Sequence, residues 1–457
     1  MSQSKINMKN IEEIKNALDF KSLKVCVIGI GRIGLPTALS FAKSGLHTIG
    51  VDINEDLIQK INSGVFPLKD EPGYEDIFKQ VLKEKTFSVT SKIENAVPHC
   101  DLILLSLPTP MDENNIPDYS ALRSVATQLS DILAPNSLVI VESTIEPGFI
   151  EDEMISLISK SNRLKIEETF QIGVCPENAN PGEILHDFTN LPRLVGGIND
   201  NIKEIIKIIY NFVFKVDLIE MPDCKTANAV KLTTNVFRDI NIAFVSELSL
   251  MFEKLGIDTM KVLEAAKMKY NFQIHYPGAG VGGPCLPINS YQLLNTAKRA
   301  GVKLNMIESG RKINEKMPAH VIELISDAFD ESNQKLENSK ILIFGISYKP
   351  NVKDVQLSPA KIIIDKLQKL GVDVHVYDPF FTSTVIFGLE TQNNLENILP
   401  KMDGAIIVTG HDDFKNIPIS SFLKMKHPIL VDTRGIIDPV VAKKEKIIFR
   451  GLGRGGF

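Results

Sequence analysis

Lys24-Val25-Cys26-Val27-Ile28-Gly29-Ile30-Gly31-Arg32-Ile33-Gly34 is the stretch that decides the fold. A short apolar strand runs into a G-x-G-x-x-G, and a helical pattern follows through Leu39 and Ala42. A second strand, His47 to Val51, then ends on Asp52. The glycine pattern alone is weak. Set between a strand and a helix, with an acid closing the next strand, it marks a dinucleotide-binding unit. The glycines permit the tight turn, close pyrophosphate approach and helix–sheet packing, and the helix N-terminus faces the phosphates. Asp52 is expected to accept the ribose hydroxyls and to repel a 2′-phosphate. Ile53 and Asn54 offer no cation for such a phosphate, so NAD is expected rather than NADP.

Working outward, strand-like runs recur at Asp101–Leu107, Ser137–Glu142 and Phe170–Val174, with helical patterns between them. From about Asn201 to Glu331 the pattern is mostly helical, including a long stretch from Asp223 to Leu255. Alternation then returns. Lys340 to Gly345 opens a strand and turn, Pro359 to Leu370 reads as a helix, and Val372 to Tyr377 ends on Asp378, mirroring Lys24 to Asp52 without the full fingerprint. The expected fold is α/β: two Rossmann-like doubly wound domains joined by a central helical region. The expected boundaries are a helical or frayed N-terminal extension (1–20), a NAD-binding Rossmann domain (21–200), a central helical dimerisation and catalytic region (201–331), and a C-terminal Rossmann-like domain (332–457). The tail from Arg450 to Phe457, rich in glycine and arginine, is expected to be mobile.

Bulk properties exclude several classes. The 457 residues carry 51 Lys and Arg against 56 Asp and Glu, a net charge of -5 that gives no support for nucleic-acid binding. Apolar content of 44% and charged content of 23% are those of ordinary globular protein. No apolar run approaches the roughly 18 residues needed to span a bilayer, and the polar start has no apolar core of a signal peptide, so a cytoplasmic protein is expected. The 5 cysteines, Cys26, Cys100, Cys175, Cys224 and Cys285, are widely spaced, with no C-x-x-C and no nearby histidine pair. Neither a metal site nor a disulfide framework is expected.

Gly278-Ala279-Gly280-Val281-Gly282-Gly283-Pro284-Cys285 sets one cysteine in glycine and proline, where backbone can approach a ligand closely. A nicotinamide cofactor together with a loop thiol points to carbonyl oxidation through a covalent thiohemiacetal. Lys231 and Asn235 are four residues apart on one helical face, an ammonium and an amide able to hold an oxyanion or a water.

With these residues on the page the chain resembles the UDP-glucose/GDP-mannose/UDP-N-acetylmannosamine dehydrogenase family, from about Lys24 to Leu452. The marks are VIGIGRIGLP (27–36), LPTP (107–110), ESTIEPG (142–148), CPENANPGEIL (175–185), KLTTNVFRDINIAF (231–244), GAGVGGPCLP (278–287), GISYKPNVKD (345–354) and VDTRG (431–435). The resemblance implies cofactor contacts from Gly29, Gly31, Arg32, Ile33, Gly34, Asp52, Pro108, Thr109 and Thr144. It implies substrate contacts from Glu177, Lys231, Asn235, Arg238, Tyr276, Gly278, Gly282, Lys349 and Arg434, the last two as phosphate contacts for a UDP moiety in the C-terminal domain. It implies catalysis by Cys285, Lys231, Asn235, Glu177, Thr144 and the position of Asn289. The chemistry so implied is a double oxidation of the C6 alcohol of a UDP-hexose, in which Cys285 would hold the aldehyde as a thiohemiacetal and then a thioester, and water would release a UDP-uronic acid. A homodimer or higher homo-oligomer built on the central helices is implied as well.

Within the family, KLTTNVFRDINIAF and the PGAGVGG approach look most like UDP-N-acetyl-D-mannosamine dehydrogenase, with UDP-glucose and UDP-N-acetylglucosamine as alternatives. The UDP-glucose branch carries lysine and aspartate where this chain has Ile288 and Asn289. That aspartate is common to both branches, and an amide cannot take a proton as a carboxylate does. Gln356 stands where the family usually has arginine, and Arg32 where it often has tyrosine. Two further readings compete: a one-step dehydrogenase, which would have no use for Cys285, and a catalytically impaired nucleotide-sugar-binding homologue.

Overall fold

The computed structural model describes residues 5–161 and 163–455, and divides the chain into two compact units. One runs to Thr234 and takes in Tyr291–Ala300; the other comprises Asn235–Ser290 and the chain from Gly301 on. Two of the three breaks fall inside helices, Cys224–Leu255 and Leu286–Arg299, and the third in the turn after Arg299.

The first unit is built on strands β1 (Lys24–Ile28), β2 (His47–Val51), β3 (Phe87–Thr90), β4 (Leu102–Leu105), β5 (Ser137–Val141), β6 (Phe170–Val174), β7 (Arg193–Gly197) and β8 (Leu218–Glu220). Their order is β3-β2-β1-β4-β5-β6-β7-β8, parallel except for the β6–β7 pair. Alternation explains the two cores. Val25 and Val27 of β1 and Leu102 and Leu104 of β4 enter one buried cluster, whereas Cys26, Ile28, Ile103 and Leu105 enter the other. A strand buried on both faces reads as a continuous apolar run, which is how β1 and β4 appear in the sequence. The helix Ile11–Asp19 is capped by Asn10, whose side chain accepts from the amides of Glu12 and Glu13. It buries Ile14, Ala17 and Leu18 in the first cluster, so this part of the extension is docked and not frayed.

The second unit holds β9 (Lys340–Phe344), β10 (Asp373–Tyr377), β11 (Val385–Ile386), β12 (Leu389–Gln392), β13 (Gly404–Ile407), β14 (Ile429–Asp432) and β15 (Ile448–Gly451). Their order is β11-β12-β10-β9-β13-β14-β15, with β11–β12 antiparallel. The helix Asn305–Glu331 lays Met317, Val321, Ile325 and Phe329 into the core on one face of this sheet.

Within the mostly helical middle, β8 pairs with β7 and belongs to the first sheet. One expectation needs correction. The tail is ordered, not mobile, through Gly455. Leu452 is buried, Arg454 Nη1 pairs with Asp258 at 2.8 Å, and the Gly455 N–H bonds the Ile257 carbonyl at 3.1 Å. Gly456 and Phe457 lie outside the described residues.

Candidate functional site

The first unit places its glycine turn at the switch point between β1 and β4, where the strand order reverses and an open α/β sheet leaves a crevice. Gly29 has φ of 86°, and a Cβ there would lie 2.6 Å from the Ser106 carbonyl oxygen. A Cβ on Gly34 would fall 1.8 Å from the Gly29 oxygen, so the helix Gly34–Lys43 can start this close to the strand only as glycine. A Cβ on Gly31 would meet nothing within 4 Å. That helix has Ile33 at its N-cap, no side-chain cap and no acid in its first turn, which leaves its positive end available to an anion. Asp52 is pinned across the turn, Oδ2 accepting the Ile30 N–H and Oδ1 the Asn54 N–H, each at 3.0 Å. Ile53 is 93% exposed, and Asn54 caps the next helix by accepting the Leu57 N–H. These residues fit NAD: phosphates at the turn, ribose at Asp52, and no cation on the next two residues for a 2′-phosphate. Pro108 is exposed on the loop after β4, and Thr109 Oγ1 donates to the Thr144 carbonyl at 3.0 Å. That carbonyl also accepts from Gln292 Nε2 at 3.1 Å. Arg32 points to the acids Asp70 and Glu71.

Beside this crevice lies the loop after β6. Glu177 Oε1 accepts the N–H groups of Asn178 and Ala179 at 2.6 and 2.7 Å, and its Oε2 lies 2.8 Å from Arg193 Nη1. The Arg193 guanidinium is buried and stacked between Phe188 and Phe214, 4.3 and 3.9 Å from their ring centroids. A desolvated cation between aromatic faces gains about 2 kcal/mol, which helps offset its loss of water. Beneath it, buried Glu142 accepts from Ser106 Oγ and Tyr210 Oη, both at 2.7 Å. Burial pushes the Glu142 carboxyl above the usual carboxylate range, and Arg193 draws it part of the way back. Lys231, 8% exposed, donates to Asn178 Oδ1 at 3.0 Å. The structure thus brings Glu177 and Lys231 to one loop, and adds Arg193, Glu142 and Asn178, which the sequence did not single out.

In the second unit Cys285 is exposed and immediately precedes the Leu286–Arg299 helix, its carbonyl accepting the Asn289 N–H at 2.9 Å. That is the N-cap position, which sets the thiol beside the free amides of the first turn. Asn289 is buried and accepts from Asn235 Nδ2 at 2.6 Å. The next residue, Ser290, donates to Asp239 Oδ2 at 2.7 Å. Asp239 also takes Arg311 Nη1 at 2.9 Å and Asn314 Nδ2 at 2.8 Å. This buried cluster fixes the start of the cysteine's helix. Of the other expected contacts, Arg238 is exposed on the Cys224–Leu255 helix, and Tyr276 donates its hydroxyl to Glu264 at 2.9 Å.

The glycines before Cys285 are there because other backbone and side chains crowd them. A Cβ on Gly278 would lie 2.3 Å from Arg434 Nη1, on Gly282 2.4 Å from the Leu357 oxygen, and on Gly283 2.6 Å from the Tyr348 ring. The Gly283 N–H bonds the Gln356 carbonyl at 3.0 Å, so Gln356 meets this loop through its backbone while its side chain is exposed. A shallow cleft is lined by Ala279, Gly280, Tyr348, Thr409 and Arg434 among others. Its walls follow β9, β13 and β14, at the switch point of the second sheet. Arg434 is half-buried and not a plain surface cation; Asp432 builds its turn by accepting the N–H groups of Arg434, Gly435 and Ile437. Lys349, also half-buried, lies between the lining residues Tyr348 and Pro350. The mirrored acid Asp378 has a different task from Asp52. It is fully buried, accepts the Ile346 N–H at 2.9 Å, and faces His411 Nε2 at 3.0 Å, so it holds the loop and meets no ribose. Among the described residues no cluster of metal-ligating side chains occurs.

The chain matches the NAD-binding domain of the UDP-glucose/GDP-mannose dehydrogenase family over residues 23–214, the family's central domain over 225–316 and its UDP-binding domain over 342–439. It is 34% identical to a UDP-N-acetyl-D-mannosamine dehydrogenase of Pyrococcus horikoshii, across 95% of this chain and 100% of that protein. It is 29% identical to a UDP-N-acetyl-D-glucosamine 6-dehydrogenase of Pseudomonas aeruginosa, across 92% of this chain and 98% of that one. The solved structure of a UDP-D-ManNAc dehydrogenase from P. horikoshii superimposes with a TM-score of 0.88 at 33% identity, over 95% of this chain and 100% of that chain.

Proposed function

This chain belongs to the UDP-glucose/GDP-mannose dehydrogenase family, NAD-dependent oxidoreductases acting on an alcohol carbon of a nucleotide sugar, and we propose that its own substrate is UDP-N-acetyl-D-mannosamine, oxidised at C6 to the uronic acid. The observation that carries the chemistry is the loop of the second unit that lines the nucleotide cleft with Ala279 and Gly280 and ends on the exposed thiol of Cys285. A sugar tethered through its diphosphate to Arg434 and Lys349 has its other end delivered to that thiol. The choice of sugar rests on the mannosamine relatives.

Bound NAD, held by the turn Gly29–Gly34 and by Asp52, supplies the hydride acceptor for each oxidation. Cys285, exposed at its helix N-terminus, is the nucleophile. It adds to the C6 aldehyde, and this covalent adduct keeps the half-oxidised sugar in place while the cofactor exchanges. Asn235 gives one N–H to Asn289 and keeps a second for the adduct's oxygen. Asn289 orients Asn235 and takes no proton, so Lys231, or a water beside it, moves the proton of the alcohol. Glu177 is ion-paired and already accepts two amides, so it orients the hydrolytic water as an acceptor, with Thr144 assisting.

The expected division of labour among 1–20, 21–200, 201–331 and 332–457 is part of the proposal. So is a homodimer: on the Cys224–Leu255 helix, Phe237, Phe244 and Met251 recur every seven residues and, with Leu255, are 46, 49, 48 and 62% exposed. A cytoplasmic location is proposed too; among the described residues no helix is long and apolar enough to cross a membrane. The test is NADH formation by the purified protein offered UDP-N-acetyl-D-mannosamine, UDP-N-acetylglucosamine and UDP-glucose in parallel. The mannosamine sugar should give the highest kcat/KM. A preference for either other sugar corrects the substrate, and binding without NADH from any of them rejects the enzyme.

A further inference from the structure

One ion pair ties the cofactor turn to the loop that carries Glu177. Arg32 sits inside the G-x-G-x-x-G, and its Nη1 donates to Asp70 Oδ2 at 2.8 Å and to Glu71 Oε1 at 3.1 Å. The Glu71 side chain is 0% exposed. Its carboxylate also reaches the other way: Oε1 accepts the Gly182 N–H at 2.8 Å, and Oε2 the Ile184 N–H at 3.4 Å. Packing closes the same joint, since a Cβ on Gly73 would lie 2.5 Å from Leu185 Cδ2. The segment bearing Glu177 and Asn178 is therefore held at one end by Arg193 and at the other by Glu71. Asn178, between these anchors, is the residue that holds Lys231.

A staple for stability alone would not need to start in the phosphate turn. Arg32 lies inside that turn, between Gly31 and Ile33, so its backbone moves only as the turn moves. A ligand that immobilises the turn therefore immobilises the root of the guanidinium. Arginine suits the link, since Nη1 alone carries two N–H groups and a charge for the two carboxylates, and tyrosine, frequent at this place in the family, has a single neutral O–H. Ordering one end of a linked network lowers the cost of ordering the other.

We infer that Arg32 and Glu71 are positioning residues that couple occupancy of the cofactor turn to the conformation of the Glu177–Asn178 loop. Cofactor at Gly29–Gly34 steadies Arg32, Arg32 steadies Glu71, and Glu71 steadies Gly182 and Ile184 and with them the catalytic stretch. This rests on the cofactor site and holds whichever sugar is oxidised.

The experiment is hydrogen exchange on the full chain, with and without saturating NAD and with no UDP-sugar. In the wild type NAD should slow exchange of the amides of residues 178–185 at least threefold. In Arg32→Tyr and in Glu71→Gln that effect should vanish, while NAD still protects the helix Gly34–Lys43. In turnover the variants should lose kcat severalfold with KM for the UDP-sugar unchanged, and the double variant should be no worse than the poorer single one, because the pair acts as a unit. Equal protection of 178–185 in the variants, or additive losses in the double variant, would overturn the coupling. Protection of the helix but not of the loop in the wild type would also overturn it. No protection anywhere would reject the cofactor reading together with it. Arg32→Tyr carries the test alone if Glu71→Gln does not fold, since the Arg32 side chain is 26% exposed.

Discussion

Replacing Asp239 by asparagine should cost more than any other single change near the catalytic thiol. Asp239 and Arg311 are 1% and 4% exposed, and the carboxylate receives Arg311 Nη1, Ser290 Oγ and Asn314 Nδ2, all within 2.9 Å. Asp239→Asn keeps the shape and removes the counter-charge. Breaking a buried ion pair from one side costs about 3–5 kcal/mol, because the other charge stays desolvated. Arg311 retains Glu315 at 3.2 Å, a partner near solvent, so the lower end applies, about 3 kcal/mol. At roughly 2–4 °C per kcal/mol for a unit of this size, the calorimetric midpoint should fall by roughly 6–12 °C. Burial pushes the Asp239 carboxyl upward and Arg311 only partly offsets it, so the pair is itself costly to bury. Asp239→Leu combined with Arg311→Met should therefore recover much of the loss. Kinetics should show the same lesion: with Ser290 released, the helix start that holds Asn289 loosens, and kcat should drop while KM for the UDP-sugar holds. A midpoint shift below about 2 °C for Asp239→Asn, or a double variant no better than the single, would refute the argument.

Two further perturbations separate binding from stability. A Cβ on Gly278 meets only the far end of a flexible side chain, Arg434 Nη1 at 2.3 Å. Gly278→Ala should leave the midpoint within a few degrees yet displace that guanidinium from the cleft, raising KM for the UDP-sugar about tenfold, the scale of one charge-assisted contact. An unchanged KM would remove Arg434 from the site. Burial lowers the pKa of Lys5 from 10.5 to about 8, with Asp101 offsetting part of the shift. Between those values the unfolded chain holds a proton that the folded one has lost, so stability should rise with pH from about 8 to 10.5. Lys5→Met should lack that rise, and parallel urea midpoints for the two proteins across this window would contradict it.

The parts legible in the sequence are those that local rules dictate. The sequence reading of β2 and β6 matches their observed bounds and that of β1 runs one residue long, because strands buried on both faces are unbroken apolar runs and a glycine turn punctuates the first. The candidate cofactor turn is legible from glycine spacing set between a strand and a helix, with an acid closing the next strand. What escaped depends on tertiary partners. Nothing in Leu218–Glu220 distinguishes a strand of three residues from a helix border; its pairing with β7 decides it. Glycine and arginine in the tail suggested mobility, but Asp258 and the Ile257 carbonyl are what tie it down. Asp378 copied Asp52 in sequence position, yet His411 faces it in the interior and gives it a structural task. Arg193 and Asp239 did leave a signal, a charge opening an otherwise apolar strand and an acid one turn from Val236 and Ala243. Such charges are retained in a core only with a partner, and the partner lies far off in sequence.

The central claim is a four-electron oxidation carried through a thioester on Cys285, and counting NADH against sugar consumed tests it most directly. With UDP-N-acetyl-D-mannosamine the wild-type protein should give about two NADH per sugar, as a covalently retained aldehyde requires. Cys285→Ser should stall before the acid is released. One NADH per sugar with free aldehyde in solution, or full turnover by Cys285→Ser, would contradict the account.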